Sequence, residues 1–191
     1  MLFIDRLPMY AWVPPGTWSD RQLLSFCLPV IVSNPRSRPH PGARPQRWAL
    51  DTRFSGEAFA WRHHLEEAGL DLDRGRTGST RLKSLDGASQ EFPLRSADLW
   101  LVSNIPAFRD APYRIALDDG IAFRDLHFLP HPESNCPLIG MMALENARLK
   151  MEMDFATRTV SVWVPGAWYR KVWLFLRRLP SGFSTAAASW E

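Results

Sequence analysis

The chain has 191 residues, 46% of them hydrophobic and 23% charged, with a formal net charge of +3. That length and composition suit one globular core with flanks, and arginines scattered among Pro, Trp and Phe form no basic tract for nucleic acid. The two cysteines, Cys27 and Cys136, lie far apart in sequence and in no C-x-x-C spacing, so neither a disulfide framework nor a zinc knuckle is implied and they read as two reduced thiols.

Residues 1 to 20 are rich in Pro and aromatic side chains without a clear period, and are expected to be an extension docked on the core. Charges and prolines stand where a signal peptide needs an unbroken apolar run, and no later run reaches transmembrane length, so a cytoplasmic location is expected. "LLSFCLPVIVSN" reads as a buried strand, "PRSRPHPGARPQ" as a Pro-rich loop, and "RWALD" as a short strand ending at Asp51. Beyond the Asp51 turn, Ser55 or Gly56 is placed to cap a helix with Ala58, Trp61, Leu65 and Ala68 on one face, closed by Gly69 in the left-handed region.

Further on, the texture becomes β. "RLKSLDGASQEFPLRSADLWLV" carries Asp86 and Gly87 between two extended runs, and "PYRIALDDGIAFRDL" carries Asp119 and Gly120, so both predict hairpins. In "RLKMEMDFATRTVSVWV", Leu149, Met151 and Met153 alternate with charged residues and Val160, Val162 and Val164 return, a hairpin with one core face and one wet face. No period of a solenoid or propeller recurs. In "WYRKVWLFLRRL", Trp168, Val172, Phe175 and Leu179 oppose Arg170, Lys171, Arg177 and Arg178, a pattern that fits helix or strand up to Pro180.

Two separated stretches, "ALDTRFSGEAF" and "CPLIGMMALENARLKMEMD", together resemble the retropepsin-like aspartic proteases of the bacterial stand-alone type. The resemblance spans roughly residues 25 to 164. It implies a mainly β, closed barrel-like acid-protease fold with one or two short helices, and a division into an N-terminal extension (1–20), a protease domain (21–166) and a C-terminal extension (167–191). Only one Asp-Thr element is present, so a complete site requires a second copy of the chain on a two-fold axis. The chemistry behind that requirement is specific: one carboxylate takes a proton from water while a second, protonated, polarises the peptide carbonyl. Two carboxylates about 3 Å apart cannot both ionise, which keeps one proton in the pair.

By this resemblance Asp51 is the catalytic carboxylate, Thr52 braces the two loops across the dimer axis, and Leu85, Asp86 and Gly87 form a flap over a peptide or protein substrate. Arg53 departs from the family pattern, which has glycine there. A guanidinium at about 5 Å would attract a carboxylate by roughly 3 kcal/mol at an effective dielectric of about 20. That attraction favours two charged carboxylates and works against the shared proton. Arg53 therefore favours an inactive, peptide-binding or scaffolding relative as the second reading. Gly56 and Gly140 are expected to be structural, one opening a helix and the other permitting a tight turn.

No metal or other cofactor is expected. His63 and His64 are adjacent and point about 100° apart on a helix, which suits a solvated face better than one ion; His127 and His131 are separated by Pro130. There is no H-E-x-x-H, no G-x-S-x-G and no phosphate loop, and nothing places a base beside Cys136. The basic aromatic segment 168–179 is expected to cover the domain or the dimer interface, with weak contact to an anionic membrane surface as a third reading and nucleic-acid binding the least supported.

Overall fold

The computed structural model describes residues 1–12, 23–40, 42–51, 54, 56–74, 76–83, 89–124 and 136–166. Thr52, Arg53, Leu85, Asp86, Gly87, His127, His131 and the segment 168–179 lie outside the described residues. Half of the described residues are in strands and two short helices accompany them, so the protein is mainly β.

The strands are β1 (Leu2–Pro8), β2 (Tyr10–Trp12), β3 (Leu23–Ser25), β4 (Cys27–Ser33), β5 (Gln46–Asp51), β6 (Ala58–Trp61), β7 (Arg76–Lys83), β8 (Ser89–Arg95), β9 (Asp98–Leu101), β10 (Tyr113–Ala116), β11 (Ile121–Arg124), β12 (Leu138–Gly140), β13 (Lys150–Asp154) and β14 (Thr159–Trp163). The helices are α1 (Arg62–Glu67) and α2 (Met141–Asn146). Nine strands form one sheet in the order β10-β9-β4-β5-β12-β6-β11-β8-β7, while β1, β14 and β13 form a second and β2 and β3 a ribbon. No pairing among the described residues joins β7 to β10, so no closed barrel is found among them.

Burial follows the strand period. In β14, Val160 and Val162 are buried and face Met153 and Met151 of β13, as the alternation in that hairpin predicts. Leu2–Pro8, read as part of a docked extension, is a strand whose Leu2, Ile4 and Leu7 pair with Trp163, Val162 and Val160. Phe3 and Ile4 from that strand join Trp48, Leu99, Ile121 and Ile139 of the large sheet in one buried cluster. Removing such side chains from water stabilises the fold by about 1.5–3 kcal/mol each.

Three local expectations are corrected. The helix expected from Gly56 onward begins only at Arg62, because Ala58–Trp61 is a strand. Ala58 and Ala60 point into the core and Phe59 and Trp61 outward, and the strand is gripped on both sides by β11 and β12. Gly69 does close the helix, at φ +79°. Second, the turn at Asp119 and Gly120 joins no hairpin: β10 pairs with β9, whereas β11 pairs with β6 and β8. Third, His64 is half-buried rather than fully solvated. Its Nδ1 accepts a hydrogen bond from the Trp61 N–H at 3.4 Å, its carbonyl accepts one from Gln46 Nε2 at 2.8 Å, and its ring lies 3.9 Å from that of His63.

Burial, with His63 beside it, pushes His64 down to about 3 from the ordinary 6.5. A histidine held neutral in the folded state is protonated first in the unfolded chain. Its stabilising contribution is therefore complete above about pH 6.5 and is lost as pH falls toward 3. With a discount for partial exposure, acidification from pH 7 to pH 4 is expected to cost about 2 kcal/mol through this residue. Urea unfolding of native protein and His64→Asn at both pH values checks this, and an equal loss in the two proteins would refute it.

Candidate active site at the end of β5

The site begins with strand order. β5 delivers Asp51 at its last position, and β6 begins at Ala58. Between these two strands lies β12, inserted from far along the sequence. It runs parallel to β5, with Leu138, Ile139 and Gly140 opposite Ala49, Leu50 and Asp51, and antiparallel to β6, with Leu138 and Ile139 opposite Phe59 and Ala58. The two stretches singled out from the sequence thus meet at Asp51 and Gly140.

Asp51 is half-buried, and its carbonyl accepts a hydrogen bond from the Phe54 N–H at 3.3 Å. Gly140 is glycine for a different reason from the expected one. Its φ of −86° is ordinary for any residue, so no turn conformation demands it. A Cβ there would lie 1.9 Å from the Gly56 carbonyl oxygen and 2.8 Å from that of Phe54. It is close backbone approach that excludes a side chain. Gly56 opens no helix; it sits in the bend before β6, and a Cβ on it would meet the tip of the Phe54 ring at 2.6 Å.

Nothing in the sequence singles out Glu57, yet it organises the surroundings. It is only 3% exposed. Oε1 accepts from the Asp118 N–H and from Asn146 Nδ2, both at 3.0 Å, and Oε2 accepts from the N–H groups of Asp119 at 2.8 Å and Gly120 at 3.3 Å. Its own carbonyl accepts the Gly140 N–H at 2.8 Å. One side chain therefore ties the β10–β11 turn and α2 to the residue that follows the Asp51 turn. This also explains the failed hairpin: the turn's N–H groups are committed to Glu57, and β10 and β11 diverge from it to different parts of the sheet.

Outside the core, Phe59 makes edge-to-face contacts with Phe54, Trp61 and Phe92 at centroid distances of 6.3, 5.9 and 5.3 Å. These half-buried rings form an apolar shelf from Phe54 to β8 of the β7–β8 hairpin. That hairpin is as expected, with Lys83 opposite Ser89 on either side of residues 84–88. Met141 and Met142, directly after Gly140, are each 43% exposed.

An open groove of about 760 Å³ lies elsewhere, between the loop carrying His40 and Arg44 and the end of α1 at Glu67; none of the described residues from 51 to 57 lines it. Among the described residues no group of His, Cys, Asp and Glu has the makings of a metal centre, and no helix is long and apolar enough to cross a membrane. Searches against protein-family models and against curated proteins gave no match, so the functional reading starts from Asp51, Gly140 and the strands that bring them together.

Proposed function

We propose that the protein is a retropepsin-like aspartic endopeptidase with the acid-protease fold, working as a homodimer with one Asp51 from each copy. The observation that carries this reading is the insertion of β12 between the strands on either side of the Asp51 turn, which sets Gly140 against Asp51. In the proposed reaction the ionised Asp51 of one copy takes a proton from water. The water oxygen adds to the peptide carbonyl carbon while the protonated Asp51 of the other copy gives its proton to the carbonyl oxygen. Collapse of the tetrahedral species breaks the C–N bond as the proton gained from water passes to the leaving amine and one hydroxyl proton returns to the other Asp51, which restores the shared proton of the pair. The exposed Met141 and Met142 beside Asp51 support the second copy, since apolar surface next to an incomplete site is what a partner would cover.

Arg53 favours a second reading, a dimeric peptide-binding relative without activity. One experiment separates the two: cleavage of a peptide library from pH 3 to 8, read by mass spectrometry, for native protein, Asp51→Asn and Arg53→Gly. The peptidase reading expects native cleavage that falls by about 10²-fold or more in Asp51→Asn, the scale of losing an acid–base group. Silence in native protein with activity in Arg53→Gly would establish the second reading. A strictly monomeric chain by light scattering at micromolar concentration would count against both.

A further inference from the structure

The strands that hold Asp51 also align the aromatic shelf with a cation. Residues directly opposite one another in a sheet share a face, and so do residues two apart along a strand. Asp51 is opposite Gly140, two residues on from Leu138, and Leu138 is opposite Phe59. Phe59 and Trp61 are opposite Ala122 and Arg124, and Ala122 is opposite Leu94, two residues on from Phe92. One face of the sheet therefore runs from the Asp51 end of β5, across these apolar side chains, to Arg124.

Arg124 differs from its charged neighbour. Arg62, next along from Trp61, is tied to Glu66 at 2.7 Å, whereas no described residue forms an ion pair or hydrogen bond with Arg124, which is half-buried. The guanidinium carbon of Arg124 lies over the Trp61 ring, 5.4 Å from its centroid, a cation–π contact.

Given the peptide-binding role proposed above, on which this step rests, we propose that Arg124 determines specificity for an acidic side chain, carried on an extended peptide about five residues from the bond at Asp51, with apolar side chains on the shelf between. The spacing follows from the sheet. β11 is the third strand from β5, and Arg124 is level with the far end of β6. At about 4.8 Å between strands and about 3.3 Å per residue, Arg124 stands roughly 20 Å from Asp51, a gap that about five residues of extended peptide cross once the two side chains reach toward each other. Alternate side chains of such a peptide point the same way. The acid must therefore fall in step with the apolar residues that touch Phe59, Trp61 and Phe92; one position out of step, it points away from the face. A guanidinium held on a ring face keeps its in-plane N–H donors for a carboxylate, two at once. Contact with Trp61 also restrains the side chain before the peptide arrives, so less rotamer freedom is lost on binding.

The test uses the full chain carrying Asp51→Asn, which binds peptides without consuming them. Ten-residue peptides with a neutral fluorophore carry Leu and Phe two apart and one Glu stepped through the remaining positions, each peptide beside its Gln twin. Fluorescence polarisation at low salt is expected to show a register in which Glu binds about fivefold or more tighter than Gln, the scale of a charge-assisted hydrogen bond in a half-buried setting. The advantage is expected to shrink at high salt, to vanish in Arg124→Gln, and to pass to a Lys twin in Arg124→Glu. Twins bound alike at every position, an advantage that persists in Arg124→Gln, or no binding of any peptide would overturn the proposal. Repeating the twin comparison on native protein decides it even if the variants fail to fold. The peptidase reading fails separately: a Glu advantage in binding with no cleavage by native protein would overturn that reading and leave Arg124 in its role. Cleavage indifferent to the position of Glu would leave the peptidase and overturn the proposal.

Discussion

Gly140→Ala is expected to cost at least about 3 kcal/mol, at the severe end of overpacking substitutions, and to unseat β12 from Asp51. The backbone conformation is innocent: φ −86° and ψ 168° suit alanine. The cost is steric, because the new methyl would stand 1.9 Å from the Gly56 carbonyl oxygen. That obstacle is backbone and has no rotamer to change. Nor can β12 slide away cheaply, since Ile139 is fully buried and the strand is hydrogen-bonded to β5 on one side and β6 on the other. Gly56→Ala is the informative comparison. There the closest obstacle is the Phe54 ring tip at 2.6 Å, a side chain that can rotate, so the loss is expected to be smaller. Thermal melts of both variants, with amide exchange at residue 140, check the ordering. A melting temperature for Gly140→Ala within about 2 °C of native, where 1 kcal/mol shifts it by about 2–4 °C, would mean that β12 does not pack against the Asp51 turn.

What the sequence discloses and what it hides follow a physical line. Leu149, Met151 and Met153 against Val160 and Val162 are legible because a half-buried hairpin writes its period into adjacent residues. "RWALD" is legible as a strand ending at Asp51, and Gly69 as a helix close, since each is a short-range signal. Ala58–Trp61 reads as helix because four residues are too few to show alternation, and Ala58 and Trp61 happen to extend the stripe of α1 through Leu65 and Ala68. Asp119-Gly120 carries a hairpin's turn chemistry, and nothing nearby says that a carboxylate some sixty residues earlier holds that turn. The crowding of Gly140 by Gly56 is likewise a product of strand order. Such pairings have no local signature.

Glu57 is the side chain whose loss should show this dependence on strand order most plainly. Glu57→Gln is expected to cost about 3 kcal/mol, and Glu57→Ala more, out of a total of about 5–15 kcal/mol for a domain. All four hydrogen bonds to the carboxylate come from N–H donors, two on each oxygen. An amide keeps one accepting oxygen and turns an NH₂ toward the other two donors, leaving at least two N–H groups unsatisfied; with Gly120 and the carboxylate itself buried, water does not replace them freely. Gly120 itself sits at φ +95°, a conformation that favours glycine, with the Arg95 carbonyl oxygen 2.6 Å from where a Cβ would be. Asn146→Ala removes only one of the four donors, and the Asp118 carboxylate that also accepts from Asn146 at 3.3 Å stays hydrated; about 1 kcal/mol is expected. Urea unfolding of Glu57→Gln, Asn146→Ala and the double variant closes a cycle. A coupling of about 0.5 kcal/mol or more is expected for groups in direct contact. A Glu57→Gln loss under about 0.5 kcal/mol, the range of an ordinary surface change, would mean that the carboxylate does not hold the turn. In that case something else must keep β10 and β11 apart and the first residue after the Asp51 turn in place.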